Sequence, residues 1–249
     1  MVAMCDLLPA MNWMKIRKAV RALSWARDRR ALMYGTAASV EHFACLKQLS
    51  TVQTVLDIGA NKGQFILEAI KWHPDARIIA FEPQGAERGV MTRVLAGVSG
   101  VTVYPFALGC EDSRVPFHIS ASPDSSSILR QTPLQAQSFP GTRNAAEEEV
   151  LVKRLDHVLD RSELIGPLLC KIDVQGYELN VLKGFGDLID AVDYLIVELS
   201  NAPFYEDAPN SADVIAFLAA RRFQIFAIYN MYMSGGLCLQ ADFLFARNR

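Results

Sequence analysis

Residues 55–63, Val-Leu-Asp-Ile-Gly-Ala-Asn-Lys-Gly, constrain the fold of this chain more than any other segment. An apolar run of β-forming residues reaches the first of two glycines, and Gln64–Trp72 then follows a helical pattern. Strand, tight turn and helix in that order open a βαβ unit, which implies a parallel sheet with right-handed crossovers. The pattern recurs down the chain. Strand candidates at 52–58, 77–81, 101–106, 168–172 and 194–199 alternate with helical runs at 64–72, 85–97, 177–185 and 212–221. The last two strand candidates, 224–228 and 242–246, have no helix between them, so the final strand is expected to insert antiparallel as one arm of a hairpin. The expectation is an α/β fold with a doubly wound, mostly parallel, Rossmann-like sheet of seven strands over residues 51–249. A helical extension at 1–50 precedes it. Two further strand candidates, 114–120 and 149–153, flank residues 121–146. That stretch is rich in Ser, Pro, Gln and Gly and weakly periodic, so it predicts a lid or a disordered insert.

At 249 residues and 51% apolar content the chain can bury one large core. A net charge of −2 argues against a strongly basic nucleic-acid binder, and no nucleic-acid partner is expected. The five cysteines, at 5, 45, 110, 170 and 238, are scattered and form no CxxC pair. Reduced thiols in a cytoplasmic protein fit better than a zinc ribbon or a disulfide scaffold. Lys15, Arg17, Lys18, Arg21, Arg27, Arg29 and Arg30 interleave with Trp13, Ile16, Val20, Leu23 and Trp25. This predicts a basic amphipathic helix. A capping helix with a solvated basic face is the simpler expectation, and peripheral contact with the inner membrane face is the alternative.

In open α/β sheets, ligands bind beyond the carboxyl ends of the strands. Gly59 permits a tight turn there, and Gly63 lets the helix approach the strand. A dinucleotide loop has similar glycines, but two residues separate the cases. Asp57 precedes the turn, where a carboxylate repels a pyrophosphate and suits the ammonium of a methionyl group. Asn61 replaces the glycine that close pyrophosphate approach requires. Glu82, in Phe81-Glu82-Pro83, ends the second strand and can accept hydrogen bonds from ribose hydroxyls. Pro83 beside it and Ala107-Leu108, at the end of the third strand, complete the expected cofactor wall. Glu111 or Asp112 can accept from an adenine amino group, or serve only as turn residues.

The chemistry is expected after the fourth strand, where Lys171 and Asp173 alternate with Ile172 and share a rim, with Glu178 following. These residue types suit general-base and acceptor-binding roles, or a structural ion pair of Lys171 with Glu178 or Glu198. Asp173 and Glu198 carry hard oxygens, but no third acid falls at a fitting position and the four histidines show no ligand spacing, so no metal is expected. Of the histidines, His118 alone falls near the expected pocket. Tyr229, Met231 and Tyr232 are candidates for an acceptor pocket or for plain packing.

VLDIGANKGQF (55–65), AFEP (80–83), FALG (106–109), VKRLD (152–156), KIDVQGYELNVLKG (171–184) and VELS (197–200) resemble the FkbM-type methyltransferase family, in order, across residues 36–247. SSSIL (125–129), Tyr205 and QADFLF (240–245) extend the similarity. The resemblance implies a class I methyltransferase fold, S-adenosylmethionine as cofactor, and O-methylation of a hydroxyl on a sugar, glycan, glycolipid or polyketide-type small molecule. It carries Asp57, Gly59 and Gly63 onto the cofactor loop and Glu82 onto the ribose. It makes Lys171, Asp173 and Glu178 the favoured active-site positions, and a carboxylate such as Asp173 is the expected acceptor of the hydroxyl proton. The rival readings are an NAD-type oxidoreductase, which Asp57 opposes, and a non-catalytic S-adenosylmethionine-binding protein. A base-methylating enzyme would commonly carry an Asn/Asp-Pro-Pro-aromatic tetrapeptide after the fourth strand, and the sequence has none there.

Overall fold

The computed structural model describes residues 25–248, so the part of the expected amphipathic helix before Trp25 lies outside the described residues, and Arg27, Arg29 and Arg30 fall on a helix over Ala26–Leu32. Seven strands form the main sheet: β1 (Thr54–Ile58), β2 (Arg77–Phe81), β3 (Val101–Tyr104), β7 (Leu168–Ile172), β8 (Tyr194–Ser200), β9 (Phe223–Ser234) and β10 (Leu237–Arg247). Their spatial order is β3-β2-β1-β7-β8-β10-β9. The first five are parallel, and β10 runs antiparallel to both β8 and β9. The seven-stranded sheet and its inserted terminal hairpin match the sequence pattern. The sheet reverses its winding between β1 and β7, which sets the switch point where such folds bind ligands.

Alternation along each strand divides the core into two layers. Leu56, Ile58, Ile79, Phe81, Cys170, Ile172 and Val197 face one side, where Phe185, Leu182 and Leu218 cover them. Val55, Ile78, Ala80, Leu169 and Ile196 face the other side, under α3 (Gln64–Trp72) and α4 (Gly85–Val94). The described part of the N-terminal extension belongs to this second layer. It holds α1 (Ala26–Leu32) and α2 (Phe43–Gln48), and Ala31, Ala38, Cys45 and Leu46 are buried in the core. Lys71 on α3 pins α1 through Asp28 at 2.6 Å and also meets Glu68 at 2.9 Å. Residues 25–50 are therefore integral to the domain rather than an appendage to it.

The two extra strand candidates belong to a second sheet. β4 (Ala107–Leu108) pairs parallel with β6 (Asn144–Lys153), and β5 (Ser113–Ser120) pairs antiparallel with β6. β6 begins five residues before the expected start at 149, because Asn144–Glu149 are exposed and carry no apolar alternation. The segment expected as a lid or a disordered insert holds a short 3-10 turn at Pro123–Ser125 and α5 (Pro133–Ser138). It is fastened to the loop after β8. Thr132 N–H donates to Phe204 O at 2.9 Å and Glu206 N–H to Arg130 O at 2.8 Å. The remaining helices are α6 (Glu178–Lys183) and α7 (Ser211–Ala219).

Candidate active site

Beyond the carboxyl ends of β1, β2, β7 and β8 opens a cavity of about 460 Å³. That lies within the range of small-molecule and cofactor sites, roughly 300–1,000 Å³. Its floor is the turn after β1. A Cβ on Gly59 would come 2.0 Å from Asp173 O, and the residue adopts φ +80°. The turn therefore packs directly on the backbone that follows β7. Asn61 takes a left-handed φ of 47° and aims its N–H at Glu82 Oε2, 2.8 Å away. Gln84 N–H donates to Glu82 Oε1 at 2.8 Å. Burial pushes the Glu82 carboxyl up to about 7, against the pull of these two N–H groups. Gly59, Asn61, Glu82, Pro83, Ala107 and Leu108 all line the cavity. Gly63 does not. A Cβ there would meet Met91 at 3.0 Å and Leu95 at 3.3 Å, so this glycine serves the contact of α3 with α4 rather than with the strand.

The charged centre follows from strand register. Asp57 and Lys171 are partners on the parallel strands β1 and β7, so both side chains leave the same face. Lys171 Nζ lies 3.9 Å from Asp57 Oδ1 and 3.0 Å from Asp173 Oδ2. Asp57 is fully buried, lies outside the cavity lining, and takes no hydrogen bond on either oxygen among the described residues. Burial lifts it to about 6, with Lys171 opposing. The cation beside Asp57 in this structure is the Lys171 ammonium of the chain itself. Burial also works against the Lys171 charge, but Asp173 and Asp57 outweigh it and hold the ammonium above its ordinary value. Asp173 is pushed up by burial and pulled further down by Lys171 and Gln175, so it rests below the usual carboxylate range. That makes it a weak base.

Gln175 ties the carboxylates of this rim together. It sits at φ 58° and its Nε2 donates to Asp173 Oδ1 at 2.8 Å and to Glu198 Oε2 at 2.7 Å. Its Oε1 accepts from the Tyr205 hydroxyl at 2.8 Å. Glu178 does not line the cavity. Its Oε1 accepts from Gly176 N–H at 2.9 Å and Val174 N–H at 3.3 Å, and burial pushes it to about 7. Glu178 is therefore a positioning residue that shapes the loop carrying Gln175. The alternative pairing of Lys171 with Glu178 or Glu198 gives way to Asp173 and Asp57.

Several candidates lie elsewhere. Asp112 accepts from Lys153 Nζ and Arg154 N–H, both at 2.9 Å, and neither it nor Glu111 lines the cavity. His118 Nδ1 faces Glu147 at 3.1 Å. Tyr229 bonds His42 Nδ1 at 2.8 Å, Tyr232 donates to Ser138 O at 3.1 Å, and Met231 is exposed, so all three leave the pocket wall. Thr36 and Gln135 take their place. Both are buried in the cavity wall, and Thr36 Oγ1 and Gln135 Oε1 have no hydrogen-bond partner among the described residues. Nothing local in the sequence marks them, because each reaches the site through tertiary packing.

The profile described as Methyltransferase FkbM domain matches residues 57–225. The chain is 31% identical over 161 residues to Methyltransferase 1 of Beauveria bassiana, covering 59% of this chain and 65% of that protein. It is 24% identical to the 2-O-methyltransferase NoeI of Sinorhizobium fredii, covering 61% and 65%. It is 26% identical to the hexuronic acid methyltransferase AglP of Haloferax volcanii, covering 62% and 59%. The chain thus spans just under two thirds of the length of these relatives.

Proposed function

The chain belongs to the FkbM methyltransferase family, and from that premise we propose that it methylates a hydroxyl of a sugar, glycan, glycolipid or polyketide-type small molecule. The strand order of its main sheet is that of class I methyltransferases, and its cofactor is S-adenosylmethionine. When bound, this cofactor supplies an electrophilic methyl group on a sulfonium.

The observation that carries the proposal is a single cavity joining Glu82 to the Lys171, Asp173, Gln175 and Glu198 rim. The residues present fit the cofactor. Each Glu82 oxygen accepts one backbone N–H, which leaves it acceptor capacity for ribose hydroxyls. Pro83, Ala107 and Leu108 offer an apolar wall for the adenine. Gly59 and Asn61, whose N–H groups are donated to Phe81 O and Glu82, would offer backbone carbonyls to the methionyl part. Lys171 and Gln175 hold the Asp173 carboxylate in place at the rim. An acceptor hydroxyl fixed there by hydrogen bonds gains rate mainly from alignment with the methyl group. NoeI and AglP are named for a 2-O-methyl transfer and for a hexuronic acid, which supports an oxygen acceptor on a sugar.

Two experiments test this. Calorimetry of the chain with S-adenosylmethionine should give saturable binding. Methyl-labelled S-adenosylmethionine mixed with fractionated glycans and lipids of the source cell should then label one fraction. Binding of NAD with no binding of S-adenosylmethionine would sink the proposal.

A further inference from the structure

The methyl-transfer proposal leaves open which group receives the acceptor's proton. Asp173 is the residue the motif favours, yet both of its oxygens are engaged. Oδ2 accepts from Lys171 Nζ at 3.0 Å and Oδ1 from Gln175 Nε2 at 2.8 Å. A proton placed there would break the ion pair and leave a buried ammonium with only Asp57, at 3.9 Å, to balance it. Glu198 stands one strand away on β8 and lines the same cavity. Its Oε2 accepts from the same Gln175 amide at 2.7 Å, while Oε1 takes no hydrogen bond among the described residues. The Tyr205 hydroxyl donates to Gln175 Oε1, and this turns the amide N–H group toward the two carboxylates.

Resting on that proposal, we infer that Glu198 is the general base and that Asp173 is the fixed counter-charge that positions Lys171 and Gln175. As the acceptor oxygen bonds the methyl carbon, its O–H bond breaks and the proton passes to Glu198. The electron pair of the methyl–sulfur bond stays on sulfur, and the sulfonium becomes a thioether. Glu198 then returns its proton to solvent.

The electrostatics agree with this division. The groups facing Glu198 are Asp173 and Lys171 from β7, Asp242 directly opposite it on β10, Glu178 from α6, and the Tyr205 hydroxyl. Burial and the Asp173, Asp242 and Glu178 carboxylates push Glu198 well above the ordinary carboxylate range, and Lys171 only partly offsets them. The raised Glu198 carboxylate holds a proton more strongly than the lowered Asp173 carboxylate, so it is the better proton acceptor of the two.

The first test needs no acceptor. The free protein, labelled with 13C at its glutamate carboxyls, is titrated by NMR, and Glu198→Gln identifies the Glu198 signal by its disappearance. Glu198 should titrate far above an ordinary glutamate, and titration in the ordinary range overturns the inference. The second test follows methyl transfer into the labelled fraction at saturating S-adenosylmethionine, across a pH range that spans the Glu198 titration found in the first test. Wild type should rise along an acid limb, and Glu198→Gln should lose that limb and fall by about 100-fold or more, the usual scale for removing a general base. Asp173→Asn should be slower but keep a limb. A Glu198→Gln variant with wild-type rate and limb refutes the inference, as does loss of the limb in Asp173→Asn alone. Calorimetry of wild type with S-adenosylmethionine separates these failures from failure of the methyl-transfer proposal itself, in which the cofactor would not bind.

Discussion

Replacing Lys171 by Met keeps the length and the apolar stem of the side chain and removes its charge. The side chain is 9% exposed, and its neighbour Asp57 is fully buried. Breaking a buried pair from one side leaves an uncompensated charge and costs about 3–5 kcal/mol. For a domain of this size that corresponds to a fall in Tm of roughly 10 °C. The loss should depend on pH in a definite direction. Asp57 already sits at about 6, raised by burial and held down by Lys171, so removing the lysine raises it further. Asp173 loses its ion pair and rises from below its ordinary value. A carboxyl raised in the folded state destabilises the fold above its unfolded pKa, and protonation relieves this as pH falls. The gap between Lys171→Met and wild type should therefore be widest near pH 8. It should narrow as pH drops toward the wild-type Asp57 value, where Asp57 is protonated in both proteins, and narrow further at lower pH as Asp173 protonates in the variant first, by up to about 1.4 kcal/mol per pH unit for each carboxyl that titrates differently in the two proteins. Lys171 itself stays charged in wild type throughout this range, since its own pKa is raised. Urea denaturation followed by circular dichroism at about pH 8 and about pH 5 measures the gap, and adding Asp57→Asn should recover part of it. A gap that is independent of pH, or unchanged in the double variant, refutes the charge-balance argument.

Gly59→Ala should lower stability by about 3 kcal/mol or more, because it places a methyl group on a backbone oxygen and forces alanine into a left-handed conformation. Urea denaturation measures this, and an unchanged midpoint contradicts the packing of the turn on Asp173. S-adenosylmethionine should bind wild type more tightly as pH rises through about 7, where Glu82 ionises. In Glu82→Gln the binding should be roughly tenfold weaker, about 1.4 kcal/mol, and flat with pH. Calorimetry across this range tests both points, and a pH slope retained in the variant removes Glu82 from the ribose role. Tyr205→Phe frees Gln175 Oε1 and should lower acceptor kcat/KM about tenfold, in line with a lost buried hydrogen bond, while cofactor affinity holds. Equal losses in acceptor turnover and cofactor affinity would point instead to a general loosening of the loop.

The parts of the fold that could be read in the sequence are those governed by local period. β1, its turn and α3 follow one another within twenty residues, and alternation or helical spacing marks each of them. The hairpin of β9 and β10 was visible as two strands with no helix between them, but not its reach. Exposed Phe226, Ile228, Met231 and Met233 break the buried pattern that defines a strand's length in sequence. The second sheet was hidden for a different reason. β4 pairs with β6 across more than forty residues, and the outer half of β6 is exposed on both faces. Thr36 and Gln135 reach the cavity from segments that carry no motif.

Asp57 shows how much of a residue's surroundings is set by strand register rather than by its own motif. Its place at the end of β1 was legible, and so was the need of a carboxylate there for a cation. The position of that cation depends on the register of two parallel strands whose sequences lie more than a hundred residues apart. Register puts Lys171 beside Asp57 and lets the same ammonium reach Asp173. Once that ammonium is committed to Asp173, the remaining acids on this face have no equal partner. Asp242 is pushed up to about 7 and Glu198 rises well above its ordinary value, both chiefly by burial. The division between a fixed counter-charge and a working base is thus a property of the charge balance across β1, β7, β8 and β10. A motif confined to one strand end contains only part of that balance, so it can name the carboxylates without assigning the proton.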